Sequence, residues 1–307
     1  MEQIRSLSQM VEEAKKLCAA KGKKRISVAM AEDAGLISAV EEARKIGLIE
    51  ATLVGDTAKV KASIAAAGAK DSDYTIIDEK DEAKCGIVAV TEVSSKKADI
   101  YMKGQLHTDH FLRAMLNKDV GLRSGKVVSH CYFHEIDGYG KIIFISDAAF
   151  NTYPDLKQKA DILQNTVNFA RALGIEHPKV AVLAAVEVVN PDMPCTLDAA
   201  ALVLMSQRGQ IRNCVVDGPL ALDNAISEEA AKIKKITSPV AGNADVLIVP
   251  NIDAGNMLAK GIVYFSKNKT AGILVGAAAP VILTSRADSA EAKMFSIAAG
   301  VMMAHRS

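Results

Sequence analysis

The sequence predicts an α/β protein with mainly parallel sheets. Three observations carry that expectation. Short β-branched runs alternate with amphipathic helical stretches, the junctions between them are brief and rich in Gly or Asp, and half of the 307 residues are hydrophobic against 24% charged. Alternating strand and helix with short junctions means βα units, and the composition is that of a packed core rather than a disordered chain. The length suits about two domains. Lys plus Arg number 37 and Asp plus Glu 36, a net charge of +1, which argues against a dedicated nucleic-acid binder. Tryptophan is absent and aromatics are 4%, so the core is aliphatic and few rings are available to stack on bases.

The elements follow in order. Ile4, Leu7, Met10, Val11, Ala14, Leu17 and Cys18 recur at helical steps and predict an amphipathic first helix. A short strand over 25–31 leads into a helix over 33–46 that Gly47 ends; a strand over 51–55 leads into a helix from Asp56 or Thr57 to Ala67. Residues 74–77, 79–93 and 98–102 continue as strand, helix, strand. Two apolar runs at 126–133 and 141–146, bridged by Gly138-Tyr-Gly140, predict a hairpin. A long helix ends near Gly174, strands are expected at 179–184, 213–217, 244–250 and 272–276, Ser227 is a helix cap, and a last helix covers 288–303. The domain boundary is expected at 138–147.

Parallel sheets place ligands at the carboxyl ends of their strands. Five such ends are polar: Lys103-Gly104, Ser146-Asp147, Asp217-Gly218-Pro219, Asn251-Ile252-Asp253 and Ser285-Arg286. Each alone is ordinary βα-loop polarity. Together Lys103, Arg113 and Arg286 supply cations and Ser285, Asn251 and Asn256 supply donors, a set suited to a phosphate-bearing anion. No G-x-x-x-x-G-K-[ST] loop occurs and no G-x-G-x-x-G follows a strand, so phosphate would rest on side chains and helix N-termini.

Metal binding is not expected. His130 and His134 lie on one face of a strand, but about 13 Å apart, and His107 with His110 lacks a third ligand. Five scattered cysteines and no apolar leader read as reduced thiols in a cytoplasmic protein. The longest apolar run, residues 271–283, is broken by Gly272, Gly276 and Pro280, so no membrane span is expected.

Several longer stretches then make the chain similar to the phosphate acetyl/butyryltransferase family, and within it to the butyryl-type branch. They run from Met102 to Arg113, Ser146 to Pro154, Arg208 to Ile211, Asp217 to Ala225, Pro250 to Asn256 and Pro280 to Ser289. The resemblance implies the reaction acyl-CoA + phosphate ⇌ acyl phosphate + CoA, with butyryl or branched short-chain acyl groups and acetyl as the alternative. It also implies a two-domain architecture like the isocitrate and isopropylmalate dehydrogenases, with an interdomain cleft. The first domain would take 1–140 plus 285–307, with the last helix on it, and the second 141–284. No permanently bound cofactor is implied; CoA or acyl-CoA is a substrate, and the protein would be a homo-oligomer.

By the same resemblance Ser285 stabilises the transition state, Arg286 binds phosphoryl oxygens, and Arg113 with Thr108 binds substrate. Lys103, Gly104, Ser146, Asp147, Asn251 and Asn256 complete the expected substrate site. One departure stands out. Acetyl-specific relatives carry an Asp seven positions after the motif Ser, and here that position is Ala292. Asp288, one helical turn earlier, is the candidate replacement base; capping the last helix is its other reading. A non-catalytic CoA or acyl-phosphate binding protein is the reading from another class, with Ala292 as its support. A decarboxylating dehydrogenase would need a carboxylate cluster and a nicotinamide site, and the sequence offers neither.

Overall fold

A computed structural model describes residues 3–285 and 288–306. The chain divides into two compact units. An N-terminal unit takes Ser8–Lys126 and the stretch from Ala271 on, and a central unit takes the first seven residues with Val127–Thr270.

The N-terminal unit opens with α1 (Leu7–Lys21), which buries Leu7, Met10, Val11, Ala14 and Cys18 on one face. Three βα units follow: β1 (Lys24–Ala29) with α2 (Ala34–Lys45), β2 (Ile49–Gly55) with α3 (Thr57–Ala66), and β3 (Thr75–Asp78) with α4 (Glu82–Ser94). The chain then runs through β4 (Ile100–Lys103) and α5 (Thr108–Met115). The junctions work as the sequence suggests. Asp33, Asp56 and Asp81 cap α2, α3 and α4 by accepting first-turn N–H groups, which satisfies donors that a helix start leaves open.

The central unit begins with β5 (Ser129–Ile136) and β6 (Ile142–Ser146), an antiparallel pair that matches Cys131 with Ser146 and Glu135 with Ile142. Then come α6 (Leu156–Ala172), β7 (Lys179–Leu183), α7 (Pro194–Gln207), β8 (Val215–Leu220), α8 (Leu222–Ile226), α9 (Glu228–Ile233), β9 (Val246–Ile248) and α10 (Ile252–Phe265), after which β10 (Asn268–Val275) carries the chain out of this unit. Asp155 starts α6 with a reciprocal capping box to Gln158. Its strands lie in the order β5-β6-β9-β7-β8, parallel except for the β5–β6 hairpin. Ile143, Ile145, Leu247, Leu183 and Leu220 face Ala259 of α10 and Ala225 of α8 in one aliphatic core.

The chain returns through β11 (Val281–Ile282) and α11 (Ala290–Arg306). In the N-terminal unit the strand order is β3-β2-β1-β4-β11-β10, parallel except where β10 meets β11. α11 packs on α2, β4 and β11 and buries Phe295, Ile297, Ala298, Val301 and Met302. No helix among the described residues is long and apolar enough to cross a membrane.

The boundaries differ from the expected 140/141 and 284/285: the chain divides at Lys126/Val127 and Thr270/Ala271. Pairing is the reason. The hairpin holds β5 to β6 and so draws it into the central unit, whereas the end of the 271–283 run becomes β11 and pairs with β4. The first residues join the central unit because Ile4 N–H donates to the Leu173 carbonyl and Leu7 N–H donates to the Glu135 carboxylate.

Candidate active site

In the N-terminal unit β1, β4 and β11 are neighbours and run in the same direction. Their carboxyl ends therefore deliver three loops to one edge. Asp33 and Leu36 come from the start of α2, Lys103, Gly104 and Gln105 from the end of β4, and Thr284 and Ser285 from the segment after β11. Lys293 reaches the same place from α11. These residues line a cavity of about 80 Å³, room for several waters and so for a single tetrahedral oxyanion.

The electrostatics favour an anion. Lys103 is 5% exposed and Lys293 7%, and a buried ammonium is costly unless an acceptor meets it. Lys103 Nζ donates to the Gly104 carbonyl at 3.3 Å, and Lys293 Nζ donates to the Asp288 carbonyl at 2.6 Å. The carboxylate in the lining is Asp33, which accepts the Leu36 N–H at 2.6 Å as the cap of α2. The positive end of that helix dipole lies at the cavity.

Gly104 has a backbone reason to be glycine. Its N–H donates to the Ala29 carbonyl at 2.8 Å and the next N–H to the Met30 carbonyl at 2.8 Å. A Cβ here would collide with both carbonyl oxygens, so the loop after β4 passes this close to β1 only without a side chain.

The Ser285 loop is closed on itself. Asp288 Oδ2 accepts the Ser285 N–H at 2.7 Å, and Asp288 N–H donates to the Ser285 carbonyl at 3.2 Å. Desolvation pushes the Asp288 carboxyl up from its usual range, opposed by the Ser285 N–H and by Lys293. Neither part of the expected geometry for Asp288 is found. α11 begins at Ala290, so Asp288 stands before the helix, and Ser289 Oγ caps it by accepting the Ala292 N–H at 3.1 Å. The cause is the turn to Ser285, which takes the carboxylate away from the helix start. Arg286 lies outside the described residues.

Thr108 opens α5 and Arg113 sits in its last turn, both exposed. Neither lines the cavity. In the central unit, Ser146 ends β6, fully buried, and its hydroxyl donates to the His130 carbonyl at 2.9 Å. Asp147 accepts N–H groups of Ala149, Phe150 and Asn151 at 3.0, 3.0 and 3.1 Å. Burial pushes its carboxyl up and those donors oppose the shift. Asn251 caps α10 through the Ala254 N–H, and Asn256 Nδ2 donates to the Ala148 carbonyl at 3.0 Å. Asn256 thus ties the β6 loop to α10, while Ser146, Asp147 and Asn251 fix their own segments.

Sequence reasoning missed Asp33, Gln105 and Lys293. Asp33 enters there only as the start of a helix and Lys293 not at all, because nothing local says that α11 lays its first turn against the end of β4. His107 and His110 have ring centroids 6.5 Å apart, and among the described residues no three potential ligands gather around a metal position. A larger cavity of about 780 Å³ in the central unit is lined at Lys141, Lys179 and Asp245. That is the amino-terminal edge of β6, β7 and β9, away from the edge where parallel sheets take ligands, and it contains none of the expected site residues.

Fold and corner define an α/β protein with a small, lysine-lined cavity at the carboxyl edge of a parallel sheet. The chain belongs to the phosphate acetyl/butaryl transferase family, whose pattern matches residues 82–301. It is 49% identical over 301 residues to a phosphate butyryltransferase of Clostridium acetobutylicum, covering 98% of this chain and 99% of that one. It is 44% identical over 286 residues to a phosphate acetyltransferase of Thermotoga maritima, covering 93% and 97%. Among solved structures, a branched-chain phosphotransacylase from Enterococcus faecalis V583 superposes with a TM-score of 0.81 at 31% identity, over 92% of this chain and 99% of that one.

Proposed function

We propose that this protein is a phosphate acyltransferase acting on butyryl-CoA or a branched short-chain acyl-CoA. The observation that carries the reading is the cavity at the ends of β4 and β11, where Lys103 and Ser285 meet in a space the size of one phosphate. A phosphate oxygen attacks the thioester carbonyl, the C–S bond breaks, and CoA leaves as its thiolate. No electrons are exchanged, so no redox cofactor is required. A thiolate with a parent pKa of about 8.5 is a tolerable leaving group.

The residues divide the work. Lys103 and the dipole of α2 hold the phosphate, Gly104 lets the loop close over it, and the Ser285 hydroxyl donates to the oxygen that gains charge. Arg286 binds phosphoryl oxygens by resemblance, and Asp288 is the candidate base in place of the carboxylate that relatives carry where this chain has Ala292. Thr108 and Arg113 serve CoA or acyl-CoA, and Ser146, Asp147, Asn251 and Asn256 shape the substrate site by fixing the β6 loop and α10. CoA enters as a substrate, and nothing else is bound permanently. We read the protein as a cytoplasmic homo-oligomer. Its five unpaired thiols and the exposed Met257, Tyr264 and Phe265 of α10 support that reading.

Phosphate-dependent release of CoA thiol from acetyl-, butyryl- and isobutyryl-CoA tests the proposal. Turnover is expected with all three and fastest with the four-carbon groups, since one methylene contributes about 1–3 kcal/mol of discrimination. Preference for acetyl-CoA would favour the second reading, which the 44% identity to an acetyltransferase supports. Release from none would leave a non-catalytic binding protein.

A further inference from the structure

The cavity beside Ser285 contains a cation that no part of the proposed chemistry has yet used. Lys293 projects from the first full turn of α11, its side chain almost wholly buried. Among the described residues its Nζ makes one hydrogen bond, to the main-chain oxygen of Asp288, and forms no ion pair. An ammonium has three donors, so two are left at the wall of a cavity that it lines. Burying a charge with that much unmet hydrogen-bonding capacity is unfavourable unless an anion completes the site.

Its placement adds to this. Lys103 comes from the end of β4 and Lys293 from α11, so two ammonium groups reach one cavity from separate elements. The preceding residue, Ala292, is buried and small. The carboxylate in the lining, Asp33, is engaged as a helix cap. Through the Asp288 carbonyl, Lys293 also holds the turn that presents Ser285.

We propose that Lys293 is a direct ligand of the substrate phosphate, pairing with Lys103 across the cavity to bind the attacking dianion next to the Ser285 hydroxyl. This rests on the phosphate-acyltransferase reading for its consequence in turnover, and on the cavity alone for its consequence in binding. As a point charge with rotatable donors, Lys293 follows the phosphate as its geometry changes on attack. In the reverse direction it meets the phosphate that the acyl group leaves behind.

Lys293→Met keeps the length and the apolar stem and removes the charge. The KM for phosphate should rise about tenfold to a hundredfold, which is about 1.4–2.8 kcal/mol, while the KM for butyryl-CoA changes by less than about threefold. Lys293→Arg should keep phosphate binding within about tenfold of wild type, because the charge remains. A purely structural lysine would lower the unfolding midpoint and leave the phosphate KM where it was, and that result would overturn the proposal.

Equilibrium dialysis with radiolabelled inorganic phosphate gives an answer independent of turnover. Wild type should bind and Lys293→Met should bind more weakly by the same factor; equal binding would overturn the proposal. A wild type that binds phosphate in a Lys293-dependent way but transfers no acyl group would remove the acyltransferase reading and keep Lys293 as an anion ligand. Active wild type with an unchanged Lys293→Met would remove Lys293 alone, and a wild type without phosphate binding would remove both. Should circular dichroism find Lys293→Met unfolded, Lys293→Gln is read in the same way.

Discussion

Ser285 and Asp288 stand three residues apart and are bound to each other by two hydrogen bonds, Ser285 N–H to the Asp288 carboxylate and Asp288 N–H to the Ser285 carbonyl. Ser285→Ala removes the hydroxyl without disturbing that turn, whose bonds use the Ser285 N–H and carbonyl. Turnover should therefore fall about 10²–10³-fold while the protein stays folded, as steady-state kinetics and a denaturation curve would check. Asp288→Asn keeps an acceptor for the Ser285 N–H but removes the charge. It should lower kcat and abolish the acid-side ionisation that the account expects in the pH–rate profile. A profile identical to wild type would reduce Asp288 to a turn residue. At this scale the sequence was informative where chemistry was local. Lys103 and Ser285 are polar residues in segments after strands, Gly104 adjoins Lys103, and all three line the cavity. Lys293 was invisible because its role depends on where α11 packs, which no spacing within the helix encodes.

The elements are where the sequence was most legible. Caps at Asp56 and Ser227, the Gly47 stop and the β5–β6 hairpin are all present, since each is fixed by a few neighbouring residues. β11 was missed because two strand residues inside a longer apolar run leave no periodicity to read. The β4–α5 junction tests the backbone argument. Gly104→Ala would press a Cβ onto the carbonyls of Ala29 and Met30; it should destabilise the protein by about 1–3 kcal/mol and raise the KM for phosphate, as urea unfolding and kinetics would measure.

β5 carries a second test at this scale. The Tyr132 ring packs against both His130 and His134, at centroid distances of 4.4 and 5.9 Å. Burial lowers both imidazoles from 6.5 to about 4. The unfolded chain thus binds more protons between those values, and stability is lost as pH falls through that window, by about 3 kcal/mol per ring. Neither ring nitrogen of His134 has a hydrogen-bond partner among the described residues. His134→Leu should therefore match or exceed wild-type stability at pH 7 and lose about half of the drop between pH 7 and pH 4, read as urea midpoints at the two values.

At the scale of the whole molecule, the alternation of strands and helices made the fold class legible, but not the points where the chain changes unit. Those depend on pairings between distant segments: β5 with β6 and β11 with β4. The aliphatic composition that disfavours nucleic-acid stacking also builds these sheets, and family membership over residues 82–301 agrees with the chemistry at their edge. The central claim is that phosphate itself is the acyl acceptor. The most direct measurement is phosphorus NMR of the wild-type protein with butyryl-CoA and inorganic phosphate, alongside a thiol assay. The account predicts a butyryl phosphate resonance that grows in one-to-one proportion with free CoA thiol and reverses when CoA is added. Thiol release that proceeds without phosphate, or that yields butyrate with no acyl phosphate signal, would contradict it.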